Sequence, residues 1–487
     1  MALTKSSSST IDEPYSVFSK RKIRWIVIVA SISAFFAPFS VNSYFPAMNK
    51  IEQDLHVTSQ QINLSVTMFM IFQALSPSFW SSLADSRGRR PVYLITLLIY
   101  ILSCAGLACV SNYTLLLVFR ALQAFGASSV IAIGAGTIAD ITHPSERGGY
   151  IGWYSLGWNI GPVVGPAIGA VLSQYLGWRW IFWSLAIVCG VHWCIIGLFL
   201  PETLRSLVGN GSGYANPTPF QWYRNYKSQR QHDAVTITQE KPSTTTHVSR
   251  KKSFIQKLMT PLQPLLYVKE KDTAILIAYY SVQYAACYCV TTSIPYLFID
   301  IYNLNTLMIG LSYLANGFGC IVGSVIQGKI LNRDYRRAQK KCAEIGSTDI
   351  PLEHARLRTV WFHAILFKIL LVAYGWCLHI KAHLAIALVI HFFLGFTSQA
   401  IFNCIQTLLV DLFPNASASV TACNNIFRCL CGAVATTLVL PGVKLLGAGW
   451  MFTLVSGILL LSRIPMFWEL SRGPRWRHQR EQRQLHV

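Results

Sequence analysis

The chain has 487 residues, of which 53% are hydrophobic and only 13% are charged. Soluble proteins carry about 25% charged residues, so this composition excludes an ordinary soluble domain and indicates that much of the chain contacts lipid. The formal net charge of +21 would suit a nucleic-acid-binding protein, but the positions of the basic residues give it a simpler explanation.

Twelve apolar stretches have about the length, 20 residues, that a helix needs to cross a bilayer. They predict an all-α membrane protein whose twelve transmembrane helices form two six-helix halves. The predicted spans are 25–45, 62–82, 91–111, 114–139, 148–173, 179–200, 273–299, 306–331, 357–378, 383–410, 417–442 and 446–468.

Polar segments divide these spans into domains. The Ser-rich residues 1–24 predict a disordered cytoplasmic N-terminus, and residues 470–487 predict a basic cytoplasmic tail. The charged residues 201–272 predict a cytoplasmic central loop. This loop separates an N-terminal six-helix half, 25–200, from a C-terminal six-helix half, 273–469.

Lysine and arginine cluster before the first span, after the second and eighth spans, in the central loop and after the twelfth span. The clusters include Lys20–Arg24, Arg87–Arg90, Arg250–Lys257, Arg333–Lys341 and Arg472–Arg483. Twelve spans place all of these clusters on one side of the membrane. Because cytoplasmic loops carry the excess of Lys and Arg, the pattern predicts that both termini are cytoplasmic, and nucleic acid is not an expected partner.

The two halves share a pattern at corresponding places. Asp140 ends the fourth span and is followed by Pro144, while Asp411 ends the tenth span and is followed by Pro414. Weak internal repeats of this kind are typical of secondary transporters, whose substrate site lies near the midplane between the repeats.

A short charged turn, Ser81–Arg90, joins the second and third spans. Its aspartate offers acceptors, its arginines offer several donors, and Gly88 permits a sharp change of backbone direction. The loops predicted to lie beside this turn carry further charges. We therefore predict a cytoplasmic gate made of Asp85, Arg89, Asp140, Glu146 and Arg147. A solvated loop cluster that contributes little is the alternative.

The fifth span carries glycines at a strict spacing of four residues, which places them on one helix face. The glycines are Gly157, Gly161, Gly165 and Gly169, and Pro162 and Pro166 lie among them. Such a face lets a second helix approach closely, and each proline removes a backbone hydrogen bond. The pattern predicts a hinge at Gly157, Gly161, Pro162, Gly165 and Pro166. A packing face with a kink is the alternative.

Arg120 lies inside the predicted fourth span, and Arg428 lies near the middle of the eleventh. Charged residues within spans usually face a polar interior and mark a pathway. Arg120 could instead extend its side chain to the outer surface, whereas this is difficult from the position of Arg428.

Further polar residues share helix faces with these arginines or lie on other spans. The predicted pathway for substrate or protons consists of Arg120, Arg428, Asn42, Gln283, Gln399, Asn403, Asn424 and His391. Interhelical hydrogen bonding without substrate contact is the alternative for each Asn and Gln. None of the 20 Asp and Glu residues falls in the middle of a predicted span. The cavity that the pathway residues are predicted to line is therefore positive and favours anions.

The sequence predicts neither an enzyme nor a cofactor. It contains no phosphate-binding loop and no nucleophile motif. The 13 cysteines show no zinc spacing, and no metal site is expected. The expected partners are a small-molecule substrate, protons and the lipid bilayer, and the protein is expected to be a monomer.

Several motifs resemble those of the major facilitator superfamily. The turn Ser81–Arg90 resembles the loop signature between its second and third helices, although Ser81 replaces the usual first glycine. The segment around Arg120 resembles the fourth-helix motif, with Ala124 where glycine is usual, and the glycines around Pro162 resemble the fifth-helix motif of proton-driven exporters.

Within this superfamily the chain looks like a fungal twelve-span drug:proton antiporter. It resembles a branch that includes quinidine-resistance transporters and fungal citrate exporters. The segments that carry this resemblance are Phe45–Met48, Leu200–Arg205, Gly209–Ser212, Pro414–Ser419, Asn424–Cys429 and Gly473–His478.

The resemblance implies a proton-coupled antiporter of the plasma membrane that exports a small organic solute. Together with the positive cavity, it favours a solute that carries carboxylates, such as a citrate-like acid or a secondary metabolite. A multidrug exporter for lipophilic or cationic compounds is the alternative, suggested by the 13% aromatic content. An importer of the same fold and a non-transporting sensor are further alternatives.

Overall fold

Helices account for almost all of the chain in the computed structural model, which describes residues 16–233, 260–345, 352–413 and 417–485. The N-terminal half contains α1 (Lys20–Asn42), α2 (Met48–Leu55), α3 (Ser59–Arg87), α4 (Arg89–Ala108), α5 (Tyr113–Ala127), α6 (Ser129–Ile141), α7 (Pro144–Tyr175) and α8 (Arg179–Phe199). A short 3₁₀ helix, Phe45–Ala47, joins α1 to α2.

The second half follows a connecting region. This region contains α9 (Arg205–Val208), α10 (Pro219–Asp233) and a 3₁₀ stretch, Thr260–Lys269. The C-terminal half contains α11 (Lys271–Tyr302), α12 (Thr306–Ile345), α13 (Leu352–Leu357), α14 (Val360–His379), α15 (Leu384–Leu412), α16 (Ser417–Leu461) and α17 (Ile464–Leu485).

Eleven helical stretches in the described ranges are long and apolar enough to cross a membrane. The last of them runs for 62 residues, far more than the 20 or so that one crossing needs. It is interrupted at Gly447, where φ is 78°, a left-handed conformation that glycine adopts at little cost. The stretch therefore contains the eleventh and twelfth crossings, and the predicted all-α fold of twelve transmembrane helices is confirmed.

In three places a helix extends into a segment that the sequence predicts to be a terminus or a loop. The helix α1 begins at Lys20, within the predicted N-terminus 1–24, because Ser19 caps it by accepting a hydrogen bond from the backbone of Lys22. Helices α9 and α10 lie in the predicted central loop, and α17 extends through the predicted tail. Residues 1–15 of the predicted disordered segment, and 234–259 of the central loop, lie outside the described residues.

Local sequence explains where helices begin and end near the charged turn. Thr58 and Gln61 form a capping box at the start of α3, which satisfies backbone donors that the helix leaves open. Gly88 ends α3 with φ 112°, so the chain turns at once into α4. One end of the bundle, which we call the basic end, carries this turn together with Arg205, α10 and α17.

Two seams join the halves. In one seam, Gly310 and Gly317 of α12 face Val163 and Pro166 of α7 so closely that an added Cβ would clash. In the other, Thr67 of α3 hydrogen-bonds to Thr436 and Thr437 of α16 at 2.9 Å.

Further contacts of the second seam lie beside these threonines. Gln60 donates to the carbonyl of Thr437 at 2.9 Å, and Asn63 donates to the carbonyl of Thr436 at 3.3 Å. Because α3 begins near these residues and ends at the turn that carries Gly88, this part of the seam lies away from the basic end.

Candidate functional site

Arg428 on α16 is held at the middle of the bundle by a neighbour one turn away. Its Nε and Nη2 atoms donate to Oδ1 of Asn425 at 3.2 and 2.8 Å. The Asn425 amide in turn donates to the carbonyl of Gln73 on α3, at 3.3 Å. This arrangement connects the arginine to the other half of the molecule and fixes the direction of its guanidinium.

A cluster of aromatic rings from α11 and α15 lies beside this guanidinium. The ring of Tyr284 lies 4.9 Å from the Arg428 guanidinium carbon, which is a cation–π distance. The tilted rings of Tyr284 and Tyr288 have centres 4.7 Å apart, and Tyr280 packs against Phe402 at the same distance. Among the described residues, no carboxylate forms an ion pair with Arg428. The positive charge of Arg428 is therefore not neutralised by a carboxylate of the described residues, and aromatic rings lie beside it.

Two sets of hydrogen-bonded amide side chains lie on α15 and α16 near this site. Asn424 donates to Gln406 at 3.1 Å, and Gln406 donates to the exposed Thr421 at 3.0 Å. Gln399 donates to Asn403 at 3.0 Å, and Asn403 donates to Ser324 at 3.1 Å. The structure thus places three predicted pathway residues, Gln399, Asn403 and Asn424, on neighbouring faces of one half.

Two buried amide atoms in this half have no hydrogen-bond partner within the described part of the chain. They are Nε2 of Gln283, whose side chain is on α11, and Oδ1 of Asn424. A buried polar group without a partner is costly. These atoms are therefore suited to bind a polar molecule, and they lie on the same two helices as Tyr284 and Arg428.

Arg120 on α5 lies in a different and tighter environment. The side chain is fully buried, and its guanidinium carbon lies 4.2 Å from the ring of Tyr44 and 4.6 Å from that of Phe69. One nitrogen donates to Gln123 at 2.7 Å, while Nε and Nη2 have no partner in the described ranges. The alternative in which Arg120 reaches the outer surface is therefore wrong.

The remaining two predicted pathway residues lie apart from Arg428. Asn42 donates to the carbonyl of Pro38 in its own helix, at 2.7 Å. His391 is buried on α15 between Tyr374 of α14 and Tyr313 of α12, with ring centres 6.0 and 6.4 Å away. Its contacts are those of a residue packed within the C-terminal half.

Three of the five predicted gate residues come together at the basic end. Arg89 forms ion pairs with Asp85 at 2.7 Å and with Asp140 at 3.0 Å. The backbone N–H of Arg89 donates to Glu202 at 2.8 Å, and Arg205 donates to the carbonyl of Asp140 at 2.8 Å. This cluster joins α3, α4 and α6 of the N-terminal half to the connecting region that follows α8.

The other two predicted gate residues do not join this cluster. Glu146 pairs with Lys20 at 3.5 Å, and both side chains are more than half exposed. Arg147 donates to the carbonyl of Ala139 at 3.1 Å, near the end of α6. Such exposed pairs contribute little energy, so the compact part of the cluster is Asp85, Arg89 and Asp140.

The glycine face of α7 packs directly against α1. A side chain at Gly157 would overlap the carbonyl of Ser31, and one at Gly169 would overlap that of Ser43. A Cβ added to Gly161 would lie 2.8 Å from the backbone nitrogen of Phe39. The opposite side of α7, at Val163 and Pro166, contacts α12. The candidate hinge residues therefore lie in a helix between a tightly packed partner and the other half.

Sequence reasoning missed several residues of these arrangements. It gave no role to Asn425, although this residue bonds both Arg428 and the other half. It gave no partner to Asp411, but Arg356 of α13 pairs with this aspartate at 2.8 Å, just as Arg89 pairs with Asp140. Arg356 precedes the ninth span as Arg89 precedes the third, and this spacing is the signal that could have revealed the pair.

The comparisons with known proteins agree with this architecture. The family model of the Major Facilitator Superfamily matches residues 30–436, which is most of the chain. The chain belongs to the major facilitator superfamily. The members of this superfamily are multi-pass membrane transporters rather than enzymes, so the protein is a membrane transporter and the predicted family is confirmed.

Fungal members of the superfamily resemble this transporter along almost their whole length. Citrate exporter 1 of Aspergillus niger is 36% identical over 492 aligned residues, covering 99% of this chain and 91% of the relative. Quinidine resistance protein 1 of Saccharomyces cerevisiae is 32% identical, covering 94% of this chain and 85% of the relative. The predicted branch is therefore confirmed.

Solved structures show the same fold at low sequence identity. The xylose transporter XylE of E. coli, in a partially occluded inward open conformation, is 13% identical with a TM-score of 0.63, covering 92% of this chain and 97% of that structure. The human organic anion transporter MFSD10 is 16% identical with a TM-score of 0.54, covering 92% of this chain and 99% of that structure.

Proposed function

We propose that this transporter is a proton-coupled antiporter of the plasma membrane, with both termini in the cytoplasm, that exports a small organic acid carrying several carboxylates. The observation that carries the proposal is the setting of Arg428. Its guanidinium lies in mid-membrane, is held by Asn425 and is flanked by Tyr284, with no carboxylate partner among the described residues. An arginine fork matches a carboxylate geometrically and can bind it through two hydrogen bonds.

Polar neighbours give the proposed site its selectivity. The unpartnered amide atom of Gln283 can donate to a second carboxylate or a hydroxyl group of the substrate, and the oxygen of Asn424 can accept from a hydroxyl. A solute with one charge would satisfy only part of this set. The similarity to a citrate exporter, at 36% identity, supports a solute of the same chemical class.

Arg120 is proposed to couple proton movement to transport. Two of its guanidinium nitrogens are buried and unpartnered within the described part of the chain, and no carboxylate lies in its cage of Tyr44, Phe69 and Gln123. A buried positive charge of this kind disfavours a proton nearby and favours its release. Movement of the surrounding helices would change that influence during the cycle.

The two halves are proposed to rock about the central site, with α7 as the hinge and the Arg89 cluster as part of the gate. Support for the hinge comes from the position of α7 between α1 and α12. Support for the gate comes from the two ion pairs of Arg89 at the basic end. Protonation of either aspartate would remove one of these pairs and loosen the cluster.

The experiment that tests the proposal is flux in proteoliposomes under an imposed pH gradient. Labelled citrate and a cationic dye are compared in the same preparation. We expect citrate movement that depends on the gradient and is lost in Arg428→Ala. Arg336→Ala is the matched control, since it removes an exposed arginine from the end of α12, and it should transport citrate normally. Citrate movement that survives in Arg428→Ala would contradict the proposed site.

A multidrug exporter is the second candidate. The rings of Tyr280, Tyr284, Tyr288 and Phe402 beside Arg428 favour it, since aromatic faces attract lipophilic cations. The resemblance to a quinidine resistance protein also supports it. Dye movement without citrate movement in the same vesicles would establish this function instead.

A further inference from the structure

Helix α10, at the basic end, exposes a row of large aromatic side chains. Phe220 is 61% exposed, Trp222 is 56% exposed and Tyr223 is 63% exposed. Tyr226 is also exposed, and its ring stacks on Trp222 at 5.6 Å. Exposed aromatic side chains in such number mark an interaction surface, and the proposed transport mechanism does not use them.

Basic residues lie beside this aromatic row. Arg224 and Lys227 are both exposed on α10, and neither forms an ion pair with a carboxylate in the described ranges. A helix that combines Trp, Tyr and Phe with Arg and Lys has the composition of one that lies in a membrane interface.

The helix is fixed in place rather than loosely attached. Thr218 and Gln221 form reciprocal capping hydrogen bonds of 2.9 and 3.2 Å at its start. Arg90 donates to the carbonyls of Asn216 and Pro217 at 3.1 and 2.9 Å, and so ties the preceding turn to the start of α4. These bonds hold α10 at one position relative to the bundle.

Helix α10 lies next to the end of a membrane-spanning helix. The ring of Phe220 stacks on that of Phe199 at 5.7 Å, and Phe199 is the last residue of α8, a membrane-spanning helix. The start of α10 is therefore continuous with a lipid-facing span. This continuity favours lipid over a soluble protein as the partner of the row.

A polar cavity of about 690 Å³ lies against the same helix. Its lining includes Arg224, Lys227, Gln221 and Asn225 from α10 and the segment 211–215. Glu202 also lines it, but its carboxylate accepts hydrogen bonds from backbone N–H groups and from Asn216. The charges of the cavity that remain available to a ligand are positive.

We propose that α10 lies in the headgroup layer of the cytoplasmic leaflet and that the cavity beside it binds the headgroup of an anionic phospholipid. Arg224 and Lys227 bind the phosphate and the negative headgroup, while the rings of Trp222, Tyr223 and Tyr226, on a different face of the helix, lie among the upper parts of the acyl chains. The cytoplasmic leaflet carries the anionic lipids, so the site depends on the cytoplasmic position proposed above for the basic end.

The test counts lipids bound to the full-length protein. The protein is reconstituted in phosphatidylcholine with about 20 mol% phosphatidylserine, extracted in mild detergent and weighed by native mass spectrometry. We expect Arg224→Gln/Lys227→Gln to retain about tenfold less phosphatidylserine than the wild type. Lys340→Gln/Lys341→Gln is the matched control, since it removes two exposed lysines from the far end of α12, and it should retain lipid normally.

A second measurement locates the aromatic row. Brominated phosphatidylserine should quench the part of the fluorescence that is lost in Trp222→Phe, and brominated phosphatidylcholine at the same level should quench it less. Equal lipid retention in the two double variants, or a Trp222 signal that neither lipid quenches, overturns the proposal. Thermal unfolding of each variant shows that the protein is folded.

Competition with inorganic phosphate distinguishes lipid from a free anion. We expect phosphate at millimolar concentration to leave the bound phosphatidylserine in place, because the acyl chains and rings contribute to lipid binding. Displacement by phosphate alone would mean that the cavity binds soluble anions, and it would overturn the membrane assignment. None of these measurements uses transport, so failure of the citrate assay leaves them interpretable.

Discussion

The two halves of the transporter each bury an arginine, but in opposite ways. In the N-terminal half, Arg120 is fully enclosed by Tyr44, Phe69 and Gln123. In the C-terminal half, Arg428 is only partly buried, and it lies beside a chain of amides that ends at the exposed Thr421. Arg428 is less buried than Arg120, so we propose binding in the C-terminal half and coupling in the N-terminal half.

Replacing Arg428 tests whether the C-terminal half binds the substrate, and it has the largest expected effect. Loss of a charge-assisted hydrogen bond costs about 1.5–3 kcal/mol, so we expect citrate flux to fall about 100-fold in Arg428→Ala. Arg428→Lys should recover part of the flux, because it restores the charge without the fork. Wild-type flux in Arg428→Ala would contradict the binding role, and equally low flux in the two variants would mean that the charge without the fork does not suffice.

Replacing Arg120 tests the coupling side. Arg120→Leu removes a buried group with two unpartnered nitrogens, so we expect folding stability to be unchanged or higher. Flux driven by a pH gradient should fall about 30-fold if the charge sets proton affinity. Exchange of external for internal citrate without a gradient should continue. Loss of both activities to the same degree would place Arg120 in substrate binding and remove the contrast.

A bulky residue in the glycine face tests the moving part of the N-terminal half. Gly157→Leu would place atoms on the Ser31 carbonyl, and overpacking of this kind costs about 1–3 kcal/mol. We expect a lower unfolding temperature and about tenfold slower flux. Gly152→Leu on the same helix is the matched control, since nothing lies within 4 Å of its position. Similar effects in both variants would show a general intolerance of α7 to large side chains.

The smallest effect is expected at the charged cluster. Asp85 is 63% exposed, and exposed pairs contribute at most about 1 kcal/mol. We therefore expect Asp85→Asn to slow citrate cycling about threefold while leaving its binding affinity unchanged. Binding measured by calorimetry separates the two quantities. Lost affinity with normal turnover would contradict the role of this cluster as a gate.

The membrane-spanning helices can be predicted from the sequence because each depends on the apolar content of one continuous stretch. The charged turn can be predicted because Gly88 and its charged neighbours are adjacent in the chain. The contacts of Arg120 with Tyr44 and Phe69 cannot be predicted in this way, since both residues lie far from it in the chain and look like ordinary apolar positions. The pair Arg356–Asp411 was missed for a related reason: its members are 55 residues apart, and only packing of α13 against α15 brings them together.

The candidate pathway shows the same limit. Gln399 and Asn403 are one helical turn apart, so spacing alone suffices to place them on one face, whereas the bond from Asn424 to Gln406 joins two helices. Spacing could not tell that His391 would face Tyr313 and Tyr374, because a polar residue in a span can face either a cavity or a packed neighbour. Only the positions of the adjacent helices decide between these cases.

The threonine contacts between α3 and α16 have a consequence for the speed of the cycle. Thr67, Thr436 and Thr437 join the halves through hydroxyl groups, each contributing about 1 kcal/mol. Thermal fluctuations over microseconds to milliseconds can break such bonds. A seam closed by neutral hydroxyls can therefore separate and reform at every turnover without the large reorganisation that a buried ion pair would require.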